Sequence, residues 1–277
     1  MKSKGKAKGK KRHILLILLL MAAAVFFLYG EIDRTVIQKG FRELFKPEEK
    51  PEEKPAALPK IAFVIDDLGP NKKTAQEILS IKLPLTLAIL PQETYTAWIA
   101  DEGSKLGHDI LGHIPMEAKE PYKLGKGGLY TWMSDEEIHK TLEEDIDSIP
   151  HIIGVSSHMG SAFTEDERAM DTFFSMLKNH GIFFLDSLTT SKSIGSKLAG
   201  RYGVKVLRRD VFLDEKDTDE DIKAQWEKAV KIAKEKGYAI LLAHARKNTI
   251  EFLKNAGSGR EMKEIKIVPV SELYAGQ

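Results

Sequence analysis

KIAFVIDDLGPNKKTAQEILS, residues 60–80, opens with five uninterrupted apolar residues, 61–65. That run is too short for a buried helix, and its flanks break it, so it reads as a buried strand. Two carboxylates, Asp66 and Asp67, close the strand, Gly69 and Pro70 turn the chain, and an amphipathic pattern starts at Lys72. The same unit recurs along the chain. Strands are expected at 61–65, 85–90, 109–113, 152–156, 182–185, 204–206 and 239–242. Amphipathic helices are expected at 72–80, 95–106, 135–147, 165–179, 193–202 and 219–236, with 248–256 after the last strand. Such alternation signals an α/β fold with a parallel sheet and covering helices. Seven units predict a distorted, seven-stranded β/α barrel over residues 60–277. A doubly wound open sheet is the alternative, because short apolar runs do not reveal strand order.

Upstream of this domain the composition changes twice. Residues 1–13 are a basic tail, and 14–29 are uninterrupted apolar residues ended by Gly30 and Glu31. At about 1.5 Å rise per residue the run and its flanks approach a roughly 30 Å hydrocarbon core. The small residues Ala22 to Ala24 sit in mid-run with Val25 to Leu28 after them, whereas a cleavage site belongs at the end. Residues 14–30 are therefore expected to be an uncleaved transmembrane signal anchor, with a cleaved signal peptide as the alternative. The positive-inside rule leaves 1–13 in the cytoplasm. The expected location is a bacterial inner membrane, single-pass, with the folded domain outside the cytoplasm. Residues 31–59 carry two Pro-Glu-Glu-Lys units and little to bury, which makes them a tether. The chain has 42 Lys and Arg against 41 Asp and Glu, so nothing marks nucleic acid as a partner. The absence of cysteine excludes thiolate catalysis, Cys-based metal sites and disulfides.

The residues at the ends of the expected strands are the chemically rich ones: Asp66 and Asp67, His113 and Glu117, His158, Asp186, Arg209 and Asp210, and His244. In a β/α barrel the C-terminal strand ends form one face, so these residues converge. Histidines and carboxylates in one cleft are the donor types of a metal-dependent hydrolase. Each also has a structural reading. Asp66 and Asp67 are in place to cap the helix after them, and Asp186 and Asp210 to pair with neighbouring cations. His113 and His244 have the alternative of being packed, hydrogen-bonded side chains. Loop 156–161, Ser-Ser-His-Met-Gly-Ser, is the most site-like, since Gly160 permits close backbone approach. Trp132 is a candidate sugar platform, although core packing is the favoured reading.

Together, Ile65-Asp66-Asp67-Leu68-Gly69, Gly107-His108-Asp109 through Pro115-Met116-Glu117, and Val155 through Ser161 resemble the divergent polysaccharide deacetylase family. Leu185-Asp186-Ser187, Arg209 through Asp214 and His244-Ala245-Arg246 extend the likeness, which covers about 59–256. The resemblance implies the distorted barrel of the polysaccharide deacetylase superfamily and a division of labour on it. The first aspartate, Asp66, would be the base, and the second, Asp67, a metal ligand. His113 matches the first ligand histidine, and His244 the general acid. Two positions depart from the pattern. The second ligand histidine is Glu117 here, and the arginine-proline segment is replaced by Ser157-His158-Met159-Gly160. His158 is expected to supply the missing ligand, which gives Asp67, His113 and His158, most simply around Zn2+. Glu117, Ser161, Asp186, Arg209 and Asp210 are assigned to substrate binding.

The expected function is metal-dependent removal of N-acetyl groups from an envelope glycan, peptidoglycan or an exopolysaccharide. The alternative is a catalytically degenerate glycan-binding or scaffold protein on the same fold. Glycoside hydrolysis by Asp66 and Asp186 ranks last, because it leaves the histidines idle.

Overall fold

The structure, a computed structural model, describes residues 16–25, 42, 58–256 and 264–274. The chain divides into two units, residues 1–56 and 57–277. In the first, residues 16–25 are helical, with Leu16, Ile17, Leu18, Leu20, Met21 and Val25 exposed. No described helix is long and apolar enough to cross a membrane. The described helix has ten residues, about 15 Å. The remainder of the expected 14–30 anchor and nearly all of the 31–59 tether lie outside the described residues.

The second unit alternates strand and helix: β1 (Lys60–Leu68), α1 (Lys72–Leu79), β2 (Thr86–Ile89), α2 (Thr96–Lys105), β3 (Asp109–Met116), α3 (Asp135–Asp147) and β4 (Ile152–Met159). A 3-10 turn (Phe163–Glu165) precedes α4 (Glu167–His180), β5 (Phe183–Asp186), α5 (Gly195–Tyr202), β6 (Val206–Arg208) and β7 (Val211–Phe212). Then come α6 (Asp219–Lys236), β8 (Tyr238–His244), α7 (Lys247–Ala256), β9 (Lys266–Ile267) and α8 (Ser271–Tyr274). The helices carry their own stop and start signals. Ser134 and Glu137 form a capping box on α3, Asp166 caps α4 and Thr218 caps α6. Such caps contribute about 1 kcal/mol each. Asn71, rather than Asp66 or Asp67, caps α1 by accepting from the Thr74 amide.

All strand pairs are parallel, in the order β6-β5-β4-β3-β2-β1-β8-β7, with β9 beside the start of β1. β6 and β7 stand at opposite ends of this order, yet only Arg209 and Asp210 separate them in the chain. The sheet must therefore curl until its ends meet. The Arg209 amide donates to Asp186 O, at the β5 side, and the next amide, of Asp210, donates to Ile240 O of β8. One interrupted strand thus changes partner in mid-course and joins the two ends. The expected seven strands are corrected to nine, because β7 and β9 are two residues long and show no periodic signal. The sixth strand begins at Val206 rather than Val204.

Alternation sorts the core into an inside and an outside. Ala62 and Val64, Ala88, Leu111, Phe183 and Leu185, Leu207, and Ile240 and Leu242 form one cluster, drawn from six strands and enclosed by the curl. The intervening residues, such as Ile61, Phe63 and Ile65, pack under the helices. Gly154 faces inward and must be glycine, since a Cβ there would lie 2.6 Å from the Phe183 ring. The apolar filling stops at one level, and beyond it the C-terminal strand ends are polar.

Candidate metal centre

Counting two residues past the last interior apolar position gives the site. Val64 is followed by Asp66, Leu111 by His113, Leu185 by Ser187, Leu207 by Arg209 and Leu242 by His244. On β4 the same parity runs from Gly154 through Ser156 to His158. These side chains form the polar lid of the interior column. Asp67 breaks the alternation: the β1 register shifts between Ile65 and Leu68, and Asp67 has φ 61°. This positive φ turns a second carboxylate toward the same face. Gln92, Met159 and Leu188 also have positive φ, just beyond β2, at the end of β4 and just beyond β5. Backbone strain of this kind collects where function holds it in place.

Asp67 Oδ1 lies 3.2 Å from His113 Nε2 and 2.8 Å from His158 Nδ1. One donor atom from each of the three residues lies within 4.8 Å of the others. Asp67 Oδ1 is buried and accepts no aligned hydrogen bond despite these short contacts. Three atoms that crowd together without proper hydrogen bonds suit a cation between them, and two imidazoles with one carboxylate form a nitrogen and oxygen donor set. His113 Nδ1 lies 2.8 Å from Ser156 Oγ. With that nitrogen protonated and donating to Ser156, Nε2 keeps its lone pair for the cluster, the usual arrangement behind a ligand histidine.

Asp66 is 2% exposed, and its Oδ1 is buried with no hydrogen bond among the described residues. Burial raises its pKa to about 6, although His113 and His244 pull it down. For Asp67 burial also acts upward, but contacts from His113 and His158 prevail and hold the carboxyl well below the usual range. His113 is raised: burial disfavours its cation, but the Asp66 and Asp67 charges prevail. His244 stands level with Asp66 across the β1 and β8 pairing, and its Nε2 is 3.7 Å from Asp67 Oδ2. Behind it, Asp214 is fully buried, with Oδ1 3.1 Å from His244 Nδ1, and Asp214 Oδ2 accepts from the His244 amide. Burial lowers the His244 pKa, but the Asp214 hydrogen bond and charge reverse this and raise it. The cleft beside these groups is lined by Asp66, Asp67, Asn71, Thr74, His244 and Arg246, among others.

The structure thus brings together Asp66, Asp67, His113, His158 and His244. The other expected site residues have structural commitments. Glu117 Oε2 accepts from the Thr131 amide and hydroxyl. Ser161 Oγ accepts from the Lys119 amide. Asp186 holds the Leu188 amide and the Ser193 hydroxyl. Asp210 pairs with Lys236 and accepts from the Ile240 amide, so it fastens the join between the sheet ends. Arg209 donates to the Ser187 and Leu188 carbonyls and lies over the Phe212 ring. It belongs to the interior lid, but its hydrogen bonds are made within the protein. Asp214 and Ser156 were missed. Parity with His158 locates Ser156, whereas Asp214 comes after a strand too short to read.

A family model described as divergent polysaccharide deacetylase matches residues 63–274. An uncharacterized protein of Haemophilus influenzae (strain ATCC 51907 / DSM 11121 / KW20 / Rd) is 34% identical over 221 residues, which cover 80% of this chain and 79% of that protein. The uncharacterized protein YibQ of Escherichia coli (strain K12) is 30% identical over 194 residues, 70% of this chain and 61% of that protein. The crystal structure of an uncharacterized protein from Agrobacterium tumefaciens C58 has the same fold, with a TM-score of 0.75 at 23% identity, over 79% of this chain and 90% of that one. The match over three quarters of the chain carries one conclusion: the chain belongs to the divergent polysaccharide deacetylase family.

Proposed function

We propose that the protein is a metal-dependent hydrolase that removes N-acetyl groups from a cell-envelope polysaccharide, peptidoglycan or an exopolysaccharide. The observation that carries the reading is the Asp67, His113 and His158 cluster with a buried carboxylate, Asp66, and a histidine, His244, beside it. Asp67, His113 and His158 would hold a divalent cation, Zn2+ by donor type. The chemistry such a cation supplies is polarisation of the acetamide carbonyl and acidification of water.

The chain's own groups handle the protons. Asp66, with its pKa pushed up to about 6, is basic enough to take a proton from the attacking water and still ionises near neutral pH. As the water oxygen bonds to the carbonyl carbon, the carbon–nitrogen bond breaks and the amine nitrogen needs a proton. His244, whose cation Asp214 favours, donates it. Acetate and a free amino sugar leave. Asp214 holds His244 through Nδ1, so Nε2 is the nitrogen that gives up its proton.

We also propose that residues 14–30 anchor the protein in the inner membrane with the 60–277 domain outside the cytoplasm. What supports this is the basic segment 1–13, the apolar run and the exposed apolar residues of the described helix.

Metal analysis and acetate release from N-acetylglucosamine oligomers or peptidoglycan test the enzyme reading. One divalent metal per chain, with acetate released, is the expected result. A chain that binds glycan but neither holds metal nor releases acetate would be the degenerate scaffold instead.

A further inference from the structure

Trp132 is 69% exposed, an unusual position for the largest apolar side chain, and it lies outside the core that the sequence favoured for it. Its ring stacks on the half-buried Tyr130 ring, with centroids 5.2 Å apart and planes 24° apart. The backbone that carries the pair is fastened on two sides. Glu117, just past the end of β3, receives the Thr131 amide and hydroxyl, and Arg168 of α4 donates to the Thr131 and Met133 carbonyls. Arg168 is itself tied to Asp135 at the start of α3. Leu129, which leads into the segment, bridges to Met116 at the end of β3. Three elements therefore cooperate to hold an aromatic face out in water, where a loosely held loop would let it fold down.

We propose that Tyr130 and Trp132 form a stacking platform for a pyranose ring of the glycan chain, with Glu117 and Arg168 as its positioning residues. The inference rests on the glycan part of the proposed function and does not depend on which bond is cleaved. Two features select a sugar over a protein surface. The exposed Trp132 ring is backed by the Tyr130 ring, and the segment that carries it is fastened by the charged side chains of Glu117, Arg168 and Asp135. A flat aromatic face with a wet rim suits the carbon-bound hydrogens of one sugar ring, whose hydroxyls remain hydrated. The platform also stands on the same strand-end face as the metal cluster. Glu117, which fastens the platform, lies four residues beyond His113, about 13 Å of extended chain, so a pentamer is expected to reach from cluster to platform more readily than a dimer.

The test uses the full-length protein with dimers and pentamers of N-acetylglucosamine. Affinity is measured by isothermal titration calorimetry, and kcat and KM by acetate release. Trp132→Ala is expected to raise the pentamer Kd and KM about tenfold. Metal content, kcat and dimer binding should stay as in wild type. Trp132→Phe should recover most of the loss, and Glu117→Ala should reproduce part of it with the metal retained. Unchanged pentamer affinity and KM in Trp132→Ala would sink the platform while leaving the hydrolase reading intact. Should wild type release no acetate, the binding titration still decides. Trp132-dependent pentamer binding supports the platform, and binding that ignores Trp132, or no binding, overturns it.

Discussion

Asp66 and Asp67 are adjacent in the chain, but a shift in strand register gives them different surroundings. Asp66 continues the interior column and is buried at its polar end, and that burial raises its pKa to about 6. Asp67, swung round by its positive φ, meets two imidazoles and stays ionised. The proposed ligand and the proposed base are thus two copies of one side chain in two different surroundings. Alanine at Asp67, His113 or His158 should each reduce bound metal sharply, whereas Glu117→Ala should leave it unchanged, since Glu117 is spent on Thr131. Metal analysis of the four purified variants checks this. Metal loss in Glu117→Ala with retention in His158→Ala would refute the ligand set. Asp66→Asn and His244→Ala should keep the metal and lower kcat by two or more orders of magnitude, because general acid and base catalysis each contribute about a hundredfold or more. Asp214→Asn keeps the shape beside His244 but removes the charge that favours its proton, so kcat should fall with little change in KM. A kcat equal to wild type in Asp66→Asn would remove Asp66 from the chemistry.

At the scale of elements, α3 carries a charge with no obvious place in a core. Asp145 is fully buried, with Oδ1 accepting from Gln92 Nε2 and Oδ2 without a partner among the described residues. Gly127 packs against it so closely that a Cβ there would lie 2.0 Å from Oδ1. Burial raises its pKa to about 7, from 3.8. The folded state therefore holds this proton more tightly than the unfolded chain. The cost of ionisation is absent below pH 3.8, grows as the pH rises and is complete above about pH 7, on the order of 4 kcal/mol. Denaturant midpoints measured from pH 5 to pH 8 should fall for wild type, and fall much less for Asp145→Asn. Parallel curves would show that Asp145 ionises freely in the folded state.

The sequence revealed such elements unevenly, for physical reasons. Strands of four or more residues and helices of eight or more announce themselves through alternation or amphipathic spacing, and their centres agree with the structure. The bounds of α3 and α6 agree residue for residue. β7 and β9 have no room for a period, so Asp214 after β7 had no visible place on the site face. Asp66, Asp67, His113, His158 and His244 were legible because strand ends converge whatever the loops do. The internal hydrogen bonds of Glu117, Ser161, Asp186 and Asp210 were not legible, since which amide or hydroxyl a rim side chain meets depends on loop paths that local pattern does not encode.

For the whole molecule, the 57–277 unit is compact by itself, with its own interior column and helical cover. Removing residues 1–56 should therefore leave a soluble protein with the unfolding midpoint and metal content of the full chain. The full chain should instead sediment with membranes. A mature protein in the soluble fraction, starting near Glu31 by mass, would show a cleaved signal peptide. Within the unit, β1 lies between β2 and β8, and Asp66 is level with His244. The proposed metal donors come from residues 67, 113 and 158, on β1, β3 and β4, whereas the proposed proton donor, His244, arrives with β8, next to last among the strands. A slip of β8 by one residue would turn His244 away from the cleft and leave the metal donors untouched. The protein thus has a completeness check written into its topology. On the proposed reading, metal content would count molecules that have arranged their first four strands, and turnover those that have also brought in β8, so during refolding the second should never recover ahead of the first.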